Sequence, residues 1–355
     1  MIELRECIGK LSSADEADRM YAAEDIGYAN QADGVSPLLA RLPEERSRAV
    51  REAIFGALRQ IEDDVVIEGG LLLLDSEDSF LRNQAVEILR ARGTKAIPFL
   101  DRAFQNGNGD RRKFVIDVLA RLSDAGASGI YERALHDPDL NVVITAVESL
   151  GNARQTGFRE KVEALISPGV HPMLLCACME ALAQIGEETA VDTVRARLGQ
   201  GTALPGYLKP SYLKLLGAKG RAEDVSEVAE TIGRDGLEEA ALNALTALRN
   251  RYGSLKLPQA LAQPLQDVVS RKASPLLAYH AIRLLGRLLD EPAVFGFVER
   301  CLEDPEKSVR IGAVQSLREA GSKKADAALC QGLRNESDAE VLQAWSAGLG
   351  GKSAK

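Results

Sequence analysis

Apolar residues return along the chain at intervals of three and four, the mark of one buried helical face. Leu81, Ala85, Ile88 and Leu89 form such a face. The order apolar, Arg, two variable residues, a small or apolar residue, then Leu four positions later recurs far downstream, in Val309-Arg310-Ile311-Gly312-Ala313-Val314-Gln315-Ser316-Leu317. The closing apolar residue falls at Ile26, Leu58, Leu89, Leu119, Leu150, Leu182, Leu216, Leu245, Leu285, Leu317 and Leu349. Most intervals are 30–32 residues; 29 separates Leu216 from Leu245, and 40 separates Leu245 from Leu285. Spacing held this evenly along a whole chain marks an internal repeat.

Each repeat has room for two short helices and their turns. A second apolar segment follows the first, as in Val35–Leu42 and Ala96–Leu100, and Pro37 and Pro98 suit a first helical turn. Asp78, Asp139 and Asp338 precede motif helices, where a carboxylate accepts free N–H groups and meets the positive end of the helix dipole. Gly27, Gly151, Gly217, Gly286 and Gly350 follow the closing residue, as at a helix stop or a close crossing. No segment reads convincingly as a strand. One helix pair cannot bury its own apolar face, so the pairs must stack into an all-α solenoid without a single enclosed core.

The motif V/L-R-x-x-A-x-x-x-L-G, clearest at Leu81–Leu89, Val309–Leu317 and Leu277–Gly286, resembles the HEAT repeat. The units are similar to the short bacterial type known from phycobilisome lyases and related proteins. The resemblance covers nearly the whole chain. It implies a right-handed α-solenoid of about eleven HEAT-like two-helix repeats, and it places the motif helix on the concave side. It is weak on function, because this scaffold carries many activities. In the family the motif Arg supports stacking through acidic residues in neighbouring turns. It is present here at Arg19, Arg51, Arg82, Arg112 and Arg310 and replaced by Val143, Leu175, Lys209, Glu238, Ala278 and Leu342. The ladder should therefore be interrupted through the middle.

Two segments break the period. Gly199–Gly206 is rich in Gly and Pro and is the best hinge candidate; Arg249–Pro264 reads as a lengthened loop inside the long unit at 245–285. Gly350–Lys355 reads as a frayed tail. Charge divides at the first break. Residues 1–200 carry 23 Lys/Arg against 33 Asp/Glu, and residues 201–355 carry 21 against 19. The expected organisation is an acidic N-terminal half, residues 1–198, and a C-terminal half, residues 199–355, within one solenoid.

Composition narrows the chemistry. Five scattered cysteines among 355 residues fit reduced thiols better than a disulfide framework. Cys176-x-Cys178 is no metal clip, because residues two apart on a helix diverge. His136, His171 and His280 stand apart, and there is no P-loop and no G-x-S-x-G. No catalytic, cofactor-binding or metal residues are expected. The start has no signal-peptide pattern, and the longest apolar runs are too short for a bilayer, so a cytoplasmic location and no membrane partner are expected. A net charge of −8 and 5% aromatics argue against a nucleic-acid partner.

The chemistry that remains lies on the motif helices. Positions two, five and six before the closing residue should point away from the core. The first column opens Glu24, Gly56, Glu87, Asp117, Glu148, Glu180, then turns to Lys214, Asn243, Arg283, Gln315 and Ala347. With repeats about 10 Å apart this makes a ladder of carboxylates. Met20, Tyr21, Phe114, Ile144, Tyr279, His280 and Ile311 stand beside it as apolar anchors, and Tyr279, His280 and Arg283 form a second cluster. Such a strip suits a basic or amphipathic protein segment. It equally suits a merely solvated face, since Glu is a good helix former. The expected function is a non-catalytic protein-interaction scaffold or adaptor. The alternative is a bilin-lyase-type enzyme or a regulatory subunit of an enzyme, raised by the resemblance alone.

Overall fold

The structure, a computed structural model, describes residues 3–122, 125–201, 203–233, 236–253, 255–271, 274–334 and 336–346. Met1, Ile2, Thr202, Ala347, Leu349 and Gly350–Lys355 thus lie outside the described residues. Every element among those described is helical. The chain divides into two compact units, Met1–Ala153 and Arg154–Lys355.

Among the described residues the first unit holds five helix pairs, each a short helix followed by a motif helix. The motif helices are Glu16–Ala29, Arg48–Gln60, Ser79–Ala91, Gly109–Leu122 and Leu140–Asn152. The second unit holds six, with motif helices Pro172–Ile185, Lys209–Lys219, Glu238–Arg251, Pro275–Leu285, Lys307–Ala320 and Ala339–Ser346. Within each unit every motif helix packs on the next. The closing residues from Ile26 to Leu317 are all buried. They recur because each interface needs an apolar plug at the same height of the stack, so these are all-α solenoids.

Local chemistry fixes where the helices start and how closely they cross. The Asp78 carboxylate accepts from Phe80 N–H at 2.8 Å, and those of Asp139 and Asp338 accept from Asn141 N–H and Glu340 N–H at 2.9 Å. Gly27 lies inside its helix and serves as a crossing, not a stop. A Cβ there would come within 2.8 Å of the Ala57 Cα, and one on Gly217 equally close to the Ala244 Cα. No larger residue fits without parting the helices.

The motif arginines bind the stack. Arg19 donates to the Ser13 carbonyl at 2.9 Å and clasps Glu45 at 2.8 and 3.1 Å. Arg112 does the same with the Gly107 carbonyl and Asp137, and Arg310 with the Asp304 carbonyl and Glu336. Arg51 reaches the Glu45 carbonyl and Asp78. Further along, Arg92 donates to the Leu58 and Ile61 carbonyls at 2.7 and 2.6 Å, capping the preceding motif helix at its negative end. Val143 at the end of the first unit, and Leu175, Lys209, Glu238, Ala278 and Leu342 in the second, stand where the motif Arg would be, and other pairs appear in the second unit. Arg195 meets Asp224, Glu227 and the Tyr212 hydroxyl.

The two period breaks are packed down. Gly201 N–H donates to Glu227 at 2.7 Å, and Leu204 is buried. Past Arg251, Leu255 and Leu257 are buried, so the lengthened loop contributes core residues.

Candidate functional site

In the first unit, three successive motif helices, Ser79–Ala91, Gly109–Leu122 and Leu140–Asn152, enclose a hollow of about 620 Å³. Its size suits a few side chains of a bound segment. Asp117, Glu148 and Phe114 line it, with Arg82, Arg121 and the buried Thr145 and Ser149. Three of the residues singled out in the sequence therefore meet in one place. Phe114 is half-buried, its ring 5.7 Å from the Arg82 guanidinium and equally far from the Lys113 ammonium. A cation on an aromatic face holds that ring in place.

Two carboxylates of the column in this unit have cationic neighbours within reach. Glu87 pairs with Arg90 at 2.8 Å and with Arg121 of the next repeat at 3.2 Å. Asp117 faces Lys113 at 3.4 Å. Glu148 is exposed at the hollow's edge. Glu24 is exposed in a smaller hollow of about 400 Å³ with Tyr28 and Gln60, and Tyr21 is 58% exposed. Ile144 departs from expectation. It is buried, because the apolar run from Val142 to Val147 packs on all sides, and so it is no anchor.

The remaining expected residues belong to the second unit. Glu180 is held by Lys214 at 2.7 Å and accepts from the Ser211 hydroxyl at 3.1 Å. Tyr279 donates its hydroxyl to Gln315 at 2.7 Å and stands edge-on to His280, 5.5 Å between centroids. Burial holds the His280 pKa below its usual value, so the ring is neutral at pH 7. Arg283 shares the Glu319 carboxylate with Arg249, which is only 8% exposed. Tyr279 and His280 thus touch, whereas Arg283 is engaged in a bridge.

Burial pushes the Cys178 and Cys301 thiols up to about 12, leaving them protonated and inert. Among the described residues no three His, Cys, Asp or Glu side chains gather as a metal site requires. No helix among them is long and apolar enough to cross a membrane.

The family model for HEAT repeats matches residues 261–350. Over that stretch the chain matches HEAT repeats. A protein of Pseudanabaena tenuis (strain PCC 7409), named uncharacterized phycocyanin operon protein Z, is 28% identical over 151 residues, 40% of this chain and 74% of that one. Among solved structures, one of importin beta superposes with a TM-score of 0.59 at 14% identity, spanning 98% of this chain and 57% of that chain. An engineered protein superposes with a TM-score of 0.50 at 16% identity, spanning 99% and 98%. At these identities the structural likeness is one of fold alone.

The HEAT-like motif directs attention to single columns, and that is why sequence reasoning missed half of the hollow. Arg121 and Ser149 reach it from other positions of their helices, and Thr145, though it stands five before Leu150, is neither acidic nor an apolar anchor. Glu319, the partner of two arginines, was missed for the same reason. Only the spacing of opposite charges between successive repeats carries a signal for such pairs.

Proposed function

We propose that this protein is a non-catalytic interaction scaffold or adaptor. It holds a basic or amphipathic protein segment along the motif helices of its first unit. The observation that carries the reading is the meeting of Asp117, Glu148 and Phe114 around one hollow of about 620 Å³. A lysine or arginine of the segment seats between the two carboxylates, and its aliphatic stem or a neighbouring apolar residue covers Phe114. Glu24, Glu87 and Tyr21 extend the surface toward the N-terminus. Because Glu87 and Asp117 already have cationic neighbours, the strip steers and orients more than it adds affinity. The electrostatic division at residues 198 and 199 is part of this reading. Residues 1–198, Glu180 included, attract the basic segment, and residues 199–355 offer the Tyr279, His280 and Arg283 cluster for a separate contact. The segment belongs to a protein, not to nucleic acid or a membrane, and the complex forms in the cytoplasm.

Affinity purification from native lysate, with the wild-type chain and with Glu87→Lys, Asp117→Lys and Glu148→Lys combined, tests the reading. A partner retained by the wild type and lost on charge reversal supports it. Undiminished capture by the triple variant refutes it. A second reading, a bilin-lyase-type enzyme or subunit, draws on the partial likeness to the phycocyanin operon protein. Adding bilin and an acceptor protein and recording the absorption spectrum decides it: a shift that requires this chain favours the lyase.

A further inference from the structure

One rung of the arginine ladder is missing, and the gap lies open. At Arg19, Arg112 and Arg310 the guanidinium clasps a carboxylate 25 or 26 residues downstream: Glu45, Asp137 and Glu336. Each of these stands two residues before the next cap, and accepts the cap's own N–H at 2.8, 2.9 and 2.8 Å from Ser47, Asp139 and Asp338. Arg51 uses the cap itself, Asp78. For Arg82 these two places hold Asn106 and Asn108. Asn108 is spent on capping, accepting Arg111 N–H at 2.9 Å, and Asn106 donates back to the Arg102 carbonyl at 2.9 Å. Arg82 keeps its contacts to the Ser76 and Glu77 carbonyls, at 2.6 and 2.8 Å, but has no carboxylate partner among the described residues.

The space beside it is a hollow of about 610 Å³, lined by Arg82, Asn106, Asn108, Arg111 and Phe114. A second polar group there is incompletely paired: Arg111 holds Asp75 at 2.8 Å, while its buried Nε has no acceptor among the described residues. Arg82 and Phe114 also line the larger hollow of about 620 Å³, so one segment can reach both.

We infer that the missing rung is supplied from outside: an Asp or Glu side chain of the bound segment seats on the Arg82 guanidinium. This rests on the proposed groove and sharpens it. The segment is then mixed in charge, with one carboxylate at Arg82 among the basic residues that face Asp117 and Glu148. A carboxylate meets the planar fork in the geometry used at the other rungs. Asp75, Glu77 and Asp110 also border this hollow and are exposed to solvent. Their repulsion is screened over about 8 Å in physiological salt, whereas the fork contact is direct. They exclude a second acidic residue, so the site selects a single carboxylate in one register.

The test uses Lys-rich amphipathic peptides of fixed length in which one Glu is moved through every position, with the all-Gln version as control. The full-length chain should bind one register about tenfold more tightly than the control. Arg82→Gln should abolish that preference. Asn106→Asp, which supplies the carboxylate from within, should abolish it too, while raising the melting temperature by an amount that Arg82→Gln cancels. If the peptides bind without any preference for a Glu register, the groove stands and this inference falls. If no peptide binds, both fall. If the stability effects of Asn106→Asp and Arg82→Gln simply add, Arg82 accepts no carboxylate at this place and the inference is overturned.

Discussion

Glu45 locks the first two repeats together, so removing its charge should loosen the N-terminal helix pair. Its side chain is 1% exposed and holds Arg19 by both oxygens, Arg41 at 3.0 Å and the Ser47 N–H at 2.8 Å. Burial alone would push this carboxyl up, but the Arg19 fork, the Ser47 N–H and Arg41 overcome it and bring the pKa down to about 2. Against an unfolded value near 4.5, the difference is worth about 3 kcal/mol. Because the folded value is the lower one, this stability is complete above pH 4.5 and is lost as pH falls toward 2. In a stack that is stable through nearest-neighbour interfaces, the loss appears where it is made, as fraying of the first repeat. Glu45→Gln should therefore speed amide exchange in the Glu16–Ala29 helix about a hundredfold at pH 7. That gap should close near pH 2, where the wild-type carboxyl is itself protonated. Equal protection at pH 7, or a gap that persists at low pH, would refute the assignment.

Other consequences can be measured on the same chain. Gly27→Val should cost at least about 2 kcal/mol in thermal unfolding, because its side chain meets the Ala57 backbone. Gly56→Ala, where a Cβ meets nothing within 4 Å, should be neutral or stabilise by up to about 1 kcal/mol. In thiol labelling at pH 8, exposed Cys330 should react within minutes, and Cys178 and Cys301 only on unfolding. Early labelling of either buried thiol would show that the helix stack opens locally.

The repeat was legible because a plug such as Leu89 or Leu317 must recur wherever one pair meets the next. The caps were legible because Asp78 and Asp139 act on N–H groups two residues away. Two things escaped the local pattern. The carboxylate column looked bare because its cations come partly from other repeats, as Arg121 reaches back 34 residues to Glu87. The stretch after Arg251 looked like a loop because Leu255 and Leu257 have no helical periodicity, yet both are buried. The arginine ladder is intermediate. The motif Arg is plain in the sequence, while the vacancy at Asn106 and Asn108 becomes visible only once the acids of the other rungs are aligned by structure.

Site-specific photo-crosslinking most directly tests whether the motif helices of the first unit carry the partner. A photoreactive residue at Asn83 lines the main hollow, and one at Leu72, 67% exposed, sits on the short helix Val65–Leu73 of the same repeat. With the partner recovered by affinity purification bound, the account predicts an adduct from Asn83 and none from Leu72. An adduct from Leu72 alone, or from neither position while the complex persists, would contradict it.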